Sequence, residues 1–333
     1  MNPKISVIIA AYNRAKLIPI TIESFLNQTF PHDQYEILVV DNNSTDNTKD
    51  VIHEMIRNNK SGVDMKYVFE KEQGCSFAEN RGVTLAKSEL VYITNDDVIA
   101  DPNLLTELVK VFDIDPAITV VSGKVLPKFE AEPSEWIMKH CYNYLLSLTP
   151  IGPETLIVSS KSLGAFSNHY GIRKKVFIEA GGFQPENTAG EWVGDGEWGL
   201  NLKLDAMGKG YKSAYTASSI LYHMLPKNRL NQKYINKRLM NEGNCNSYTD
   251  YRREKYSTMG LVGQNVKYFF KIFYFLGLAI ASFLIGYSKY HLYYAYTYYC
   301  VARIKYNIRL MKDEKWRKFV LRSDWIPTES GFF

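Results

Sequence analysis

The sequence predicts an α/β fold: a mostly parallel central sheet with helices on both faces, followed by a helical, membrane-associated extension. Three observations carry that expectation. Short β-branched apolar runs alternate with helix-length segments through the first half, the βα rhythm of a parallel sheet. Residues 227–322 carry 19 basic and 5 acidic side chains, against 21 and 28 in residues 1–226, so the chain has two parts of opposite sign. Inside the basic part lies one apolar stretch, 268–287, reading YFFKIFYFLGLAIASFLIGY.

The elements follow in order. Strands are expected at 5–10, 36–40, 65–69, 90–94 and 119–125, with helices at 17–28, 48–59, 77–87 and 103–112 between them. Asp46-Asn47-Thr48 offers capping side chains, and Pro102 after Asp101 suits a first helical turn. Residues 127–153 are aromatic and irregular and receive no assignment. A helix at 195–207 precedes two short strands near 211–216 and 219–222. The chain thus divides into a catalytic domain, 1–225, and a basic, aromatic-rich helical extension, 226–333. A length of 333 residues suits one large α/β domain with an appendage, and 46% hydrophobic with 23% charged residues excludes wholesale disorder.

In the extension, the uninterrupted apolar run 272–287 is 16 residues, marginal for a span and equally suited to a helix lying in one leaflet. Lys271 can snorkel to the headgroups, and the Tyr-rich run 290–299 suits an interfacial belt. These neighbours favour a lipid surface over nucleic acid as the partner of the basic region. The start, MNPKISVIIAAYN, lacks the apolar core of a signal peptide, so the part before the extension is expected to stay at the cytoplasmic face of the membrane. Cys75, Cys141, Cys245 and Cys300 are scattered without paired spacing, which argues against a disulfide framework and a structural zinc site.

Chemistry concentrates at strand ends. The first strand runs into AAYNR without the glycines of a dinucleotide-binding turn, and no P-loop occurs, which disfavours a dehydrogenase or a P-loop kinase. Asp41 ends the second strand, where an acceptor-only carboxylate can read the N–H edge of a base; a turn-and-cap explanation accounts for Ser44, Thr45 and Asp46 but gives Asp41 no role. Asn95-Asp96-Asp97 ends the fourth strand, and adjacent carboxylates invite a hard divalent cation, which could hold a diphosphate. Asp195 and Glu197 sit at a helix start, where capping would also select them.

The ordered segments SVIIAAYNRAKLI, EILVVDNNSTDNT, GCSFAENRG and LVYITNDDV resemble the family-two glycosyltransferases, and GIRKKVFIEAGGF and GDGEWGLNLKLDAMGKGY resemble that family's acceptor-side motifs. The resemblance covers about the first two-thirds of the chain. It implies a GT-A nucleotide-diphospho-sugar transferase fold with a nucleotide-sugar half, 1–125, and an acceptor half, 126–225. It further implies that Ala10 and Tyr12 flank the base, that Asp41 hydrogen-bonds it, and that Arg81 approaches base or phosphates. Arg14 and Asn95 join the donor contacts; Asn95 stands where the family often has Asp. Asp96 would contact ribose or sugar, Asp97 would ligate Mn2+ or Mg2+, and His223 would reach the metal or diphosphate. Asp195 falls at the position of the family's general base, with Glu197 and Trp198 on the acceptor side, although Trp192 also flanks the base.

The expected activity is inverting transfer of a sugar from a UDP-, dTDP- or GDP-linked donor to a saccharide or lipid-linked acceptor, in cell-envelope polysaccharide or glycolipid synthesis. A nucleotidyltransferase and a membrane-tethered scaffold with a vestigial nucleotide-sugar site are the alternatives. The first normally needs a glycine-rich loop after the first strand, which AAYNRAK lacks.

Overall fold

Strand β1 (Ile5–Ala11) reads ISVIIAA and is buried along its whole length, as a strand covered on both faces requires. It lies third from one edge of the sheet in the computed structural model, which describes residues 2–149, 156–163, 167–188 and 191–327. Helix α1 (Ile18–Leu26) leads to β2 (Tyr35–Asp41), α2 (Thr48–Asn58) to β3 (Asp64–Phe69), and α3 (Cys75–Leu85) to β4 (Leu90–Asn95). The spatial order is β3-β2-β1-β4, all parallel, so the winding reverses direction beside β1. Such a switch opens a crevice at the carboxyl ends of β1 and β4, where ligands of open α/β sheets bind.

Beyond β4 the expectation of a mostly parallel sheet fails. The chain continues through β5 (Val98–Ala100), α4 (Leu104–Phe112), β6 (Ile118–Phe129), α5 (Glu135–Cys141), β7 (Leu156–Ser159), β8 (Tyr170–Arg173) and α6 (Lys174–Glu179). A small hairpin of β9 (Asn187–Thr188) and β10 (Glu191–Trp192), helix α7 (Glu197–Met207) and β11 (Lys212–Leu225) follow. β8 enters antiparallel between β4 and β6, while β5 and β7 both run antiparallel to β11. β6 and β11 are parallel. The sheet is therefore mixed. Only Asp96 and Asp97 separate β4 from β5, which leaves β4 and pairs instead with β11 at the far end of the strand order.

Smaller expectations shift too. The two strands near 211–216 and 219–222 are one strand, β11, whose register against β6 slips between Thr216 and Ile220. Pro102 lies ahead of α4, which starts at Leu104 after Asp101 Oδ1 accepts the Asn103 N–H. The unassigned region contains the end of β6, α5 and a 3-10 turn at Tyr144–Leu146, and its residues 150–153 lie outside the described residues. All four cysteines are free, as their spacing implies.

Apolar side chains fill both faces of the sheet: α1, α4 and the first turns of the C-terminal helices cover one, and α3, α6 and α7 the other. Gly82 lets α3 touch the sheet, since a methyl group there would sit 2.3 Å from Ile8 Cγ2. The C-terminal third forms α8 (Gln232–Glu254), α9 (Thr258–Leu284), α10 (Tyr290–Lys312) and α11 (Glu314–Leu321). Ile235, Leu239 and Ala295 of these helices belong to the same buried cluster as β1. Trp325 is fully buried against Phe77 of α3, and its carbonyl accepts the Asn80 amide. α8, α10 and Trp325 thus pack on the sheet-bearing part, whereas α9 packs on α10.

Candidate active site

The loops after β1 and β2 are stapled together. Asn13 takes a left-handed backbone (φ 53), which turns its side chain so that Oδ1 accepts the N–H groups of Thr45 and Asp46. Its own N–H donates to Ser44 Oγ, and the Arg14 N–H to Thr48 Oγ1. Asp41 is buried: Oδ1 accepts the Ser44 N–H and Oδ2 the Tyr67 hydroxyl. The turn therefore does employ Asp41, contrary to the sequence reading, though each carboxylate oxygen keeps a second acceptor site. Ala10 is buried, Tyr12 is 42% exposed at the crevice, and the buried Asn95 Oδ1 has no hydrogen-bond partner. Arg81, on α3, lies within electrostatic reach of Glu70.

Asp96 and Asp97 occupy the tight link between β4 and β5, held from beneath by Thr21 of α1, whose hydroxyl meets the carbonyls of Asp96 and Val98. Asp96 accepts the Tyr12 N–H at 3.1 Å and Arg14 Nε at 2.9 Å. Burial and then the Asp97 charge push its carboxyl up to about 6, with Arg14 opposing. Pairing of β5 with β11 sets Val98 opposite His223, which brings the ring to Asp97, 3.5 Å between Nε2 and Oδ1. His223 Nδ1 lies 3.0 Å from the Leu146 carbonyl, so it is the protonated nitrogen and Nε2 presents a lone pair. Arg229, on a 3-10 turn just after β11, donates Nη1 to that Nε2 at 3.0 Å and Nη2 to Asp97 Oδ2 at 2.9 Å. Burial works to raise Asp97, but the guanidinium charges of Arg229 and Arg14 outweigh it and hold the carboxyl below the usual range.

Asp195 belongs to a second cluster. Gly196, at a left-handed φ of 52, turns the chain into α7 immediately after it. The Asp195 side chain does not cap α7; Oδ2 accepts Thr249 Oγ1 of α8 at 2.5 Å, and Oδ1 is buried without a hydrogen-bond partner. Burial pushes its carboxyl up to about 7, against the Thr249 hydrogen bond and the Arg252 charge. Glu186 is nearby and is pushed up to about 8 by burial and the Glu197 charge, with Arg238 opposing. Trp192 donates Nε1 to Cys245 Sγ and lies 5.8 Å from the Arg238 guanidinium, whereas Trp198 is 44% exposed.

The two clusters flank the start of α3. Gly74 N–H donates to Asn42 of the β2 loop, and Ser76 Oγ accepts the Glu186 N–H. Burial, then the charges of Glu79, Glu186, Asp96 and Glu197, raise the intervening Cys75 thiol. Tyr12, Arg14, Asp96, Asp97 and His223 thus share one network, Asp41 joins it through Ser44 and Asn13, and Asp195, Glu197 and Glu186 form the second. Arg229 and Thr249 escaped sequence reasoning. Arg229 follows His223 by six residues in a loop with no motif, and Thr249 lies mid-helix, so neither left a local signal.

The family model for glycosyl transferase family 2 matches residues 6–177, just over half of the chain. The chain belongs to glycosyl transferase family 2. An uncharacterized glycosyltransferase of Nostoc sp. is 36% identical over 118 residues, 35% of each chain. The O-antigen chain rhamnosyltransferase of Salmonella typhimurium is 26% identical over 232 residues, 66% of each chain. Less than two-thirds of either relative's length is thereby matched. A mannosyltransferase of Pyrobaculum calidifontis, solved with GDP-Man and Mn2+, superposes with a TM-score of 0.62 at 19% identity, covering 94% of this chain and 88% of that one. This family-two chain therefore has the GT-A fold, with a mixed rather than mostly parallel sheet.

The family's divalent cation fits the side chains present. Asp97 Oδ1 is a buried, unpartnered carboxylate oxygen, and the His223 lone pair lies beside it, a hard oxygen and an imidazole suited to Mn2+ or Mg2+. No group of three or more His, Cys, Asp or Glu gathers for a metal among the described residues, so diphosphate and water would complete the shell.

Proposed function

We propose that this chain is an inverting glycosyltransferase that moves a sugar from a UDP-, dTDP- or GDP-linked donor to the hydroxyl of a saccharide or lipid-linked acceptor, in cell-envelope polysaccharide or glycolipid synthesis. The observation that carries it is the contrast between two buried carboxylates: Asp97 held ionised among cations, and Asp195 pushed up to about 7 with one oxygen unpartnered. A general base near neutrality is matched to taking a hydroxyl proton. In this reading Asp41, Ala10 and Tyr12 hold the base, with Arg81, Arg14, Asn95 and Asp96 toward the phosphates and sugar. Asp97 and His223 would hold the cation, whose chemistry, when bound, would be to neutralise charge on a diphosphate. Asp195 Oδ1 receives the acceptor proton as the new C–O bond forms and the bond from C1 to the diphosphate oxygen breaks. Glu197 and Trp198 stand on the acceptor side.

For location, we propose that residues 226–333 bind the cytoplasmic face of the membrane, with α9 lying in the interface. By length and composition α9 is the one helix among the described residues able to cross a bilayer. Met259, Val262, Val266, Phe269, Phe273, Ile280 and Leu284 leave an exposed stripe along it, and Lys267 and Lys271 border the stripe. A span is disfavoured because α10 packs beside α9, through Phe275 on Tyr296 and Phe283 on Tyr290, and carries buried Arg303 paired to Asp250 of α8. Co-sedimentation with phosphatidylglycerol vesicles, lost in Phe269→Glu/Phe273→Glu, is expected; equal sedimentation of the double variant sinks the docking face.

The activity is tested by donor hydrolysis on a panel of UDP-, dTDP- and GDP-sugars with Mn2+ or Mg2+, using wild type and Asp97→Ala. Metal-dependent release of one nucleoside diphosphate, lost in the variant, is expected. Metal-dependent nucleotide binding without turnover, even with saccharide acceptors, would instead favour a vestigial scaffold.

A further inference from the structure

Arg229 makes its side-chain hydrogen bonds to the two groups assigned above to the cation, Asp97 Oδ2 and His223 Nε2. The guanidinium thus stands between a carboxylate and an imidazole lone pair, where a divalent ion would be ligated. Its setting differs from that of its partners. Arg229 is 22% exposed on a short turn between β11 and α8, whereas the Asp97 and His223 side chains are 6% and 3% exposed within the sheet. His223 is fixed by strand pairing and Asp97 by the two-residue link between β4 and β5, whereas the arginine sits on a short turn.

Charge sharpens the contrast. Asp96 and Asp97 face Arg14 and Arg229, two anions against two cations, so the cluster is balanced as it stands. A dication arriving alone would meet the guanidinium at close range in a buried site, where like charges repel strongly. A nucleoside diphosphate changes the balance: it brings the negative charge that a dication needs, and its oxygens suit the planar fork of an arginine.

We infer that Arg229 is a tethered counter-ion that fills the cation position until the donor arrives, then turns onto the diphosphate, so that metal binding depends on nucleotide binding. The inference rests on the assignment of Asp97 and His223 to the metal. It makes Arg229 a positioning residue for the donor complex, and it predicts positive coupling between Mn2+ and nucleoside diphosphate.

The test is direct Mn2+ binding, by loss of the free-ion electron paramagnetic resonance signal, in wild type, Arg229→Gln and Asp97→Asn, followed by calorimetric titration of UDP, dTDP and GDP with and without Mn2+. Arg229→Gln should bind Mn2+ alone about tenfold more tightly than wild type, yet bind the nucleotide in the presence of Mn2+ about tenfold more weakly, within the usual range of coupling between two ligands. A merely structural arginine would not move the two affinities in opposite directions. Arg229→Lys, which keeps the charge but not the fork, should retain weak binding of Mn2+ alone, and it serves as the test if Arg229→Gln fails to fold. Equal Mn2+ affinity in wild type and Arg229→Gln overturns the exchange while leaving the metal site standing. Mn2+ binding that is absent from wild type and Arg229→Gln alike, even with nucleotide, or that survives intact in Asp97→Asn, overturns the metal assignment and the exchange together.

Discussion

Asp97 and Asp195 are the same residue type, both nearly sequestered from water, and their protonation is driven in opposite directions. Asp97 lies in a link two residues long, where Arg14 approaches and Arg229 binds its carboxylate. Asp195 has a hydroxyl and a more distant arginine for company, so burial wins and its carboxyl rises to about 7. Environment alone separates a carboxylate kept charged to hold a cation from one able to accept and release a proton. The construction differs as well. Asp97 is reached by Arg14 from the loop after β1 and by Arg229 from the turn after β11, whereas Asp195 is held by Thr249 of α8.

The contrast breaks most sharply at the base itself. Asp195→Asn should lower transfer by about 10²- to 10⁴-fold, the usual contribution of a positioned proton acceptor, while leaving metal-dependent nucleotide binding within about twofold. Steady-state rates with calorimetric nucleotide affinities check both. Matched losses of turnover and nucleotide affinity would mean that the two clusters are one site energetically and that the division of roles is wrong.

A finer cut is at Thr249. Asp195 must be deprotonated to accept the acceptor proton, so with its carboxyl at about 7 the wild-type rate should rise with pH and level off above that value. Thr249 donates to the charged form and favours it, so Thr249→Val should move the acidic limb to higher pH. Loss of a hydrogen bond to a charged group, about 1.5–3 kcal/mol, corresponds to about one to two pH units and a roughly tenfold or larger loss at pH 6. The deficit should shrink as the pH rises toward 9 and the variant's carboxyl ionises in turn. An unmoved limb would assign the titration to a different group, with Glu186 the first to examine.

These same residues mark what was legible in the sequence. β1 to β4 and the helices between them follow from local patterns, because a buried parallel strand is a continuous apolar run and α2 and α4 are amphipathic. Asp41, Asp96 and Asp97 were readable because strand ends expose side chains at one edge. The antiparallel entry of β8 left no such mark: four residues, YGIR, carry no direction, and only their pairing with β4 and β6 gives one. Arg229 and Thr249 were hidden for the same reason, since each acts on a carboxylate 132 or 54 residues away.

The smallest effect probes the donor side alone. Tyr67 donates to Asp41 Oδ2 at 2.8 Å from the edge strand β3, where it is partly exposed, and Oδ1 retains the Ser44 N–H. Tyr67→Phe should therefore cost about 0.5–1.5 kcal/mol of stability, the net worth of one hydrogen bond, read by thermal or urea unfolding. With one acceptor position freed, Asp41 becomes more available to a base edge, so nucleotide affinity should hold or improve by a fewfold rather than fall. The acidic limb of the rate should stay at about 7, because Asp195 makes no contact with Tyr67 or Asp41. A limb that moves in Tyr67→Phe would mean that the donor edge sets the protonation of the base, and the independence of the two carboxylates would be lost.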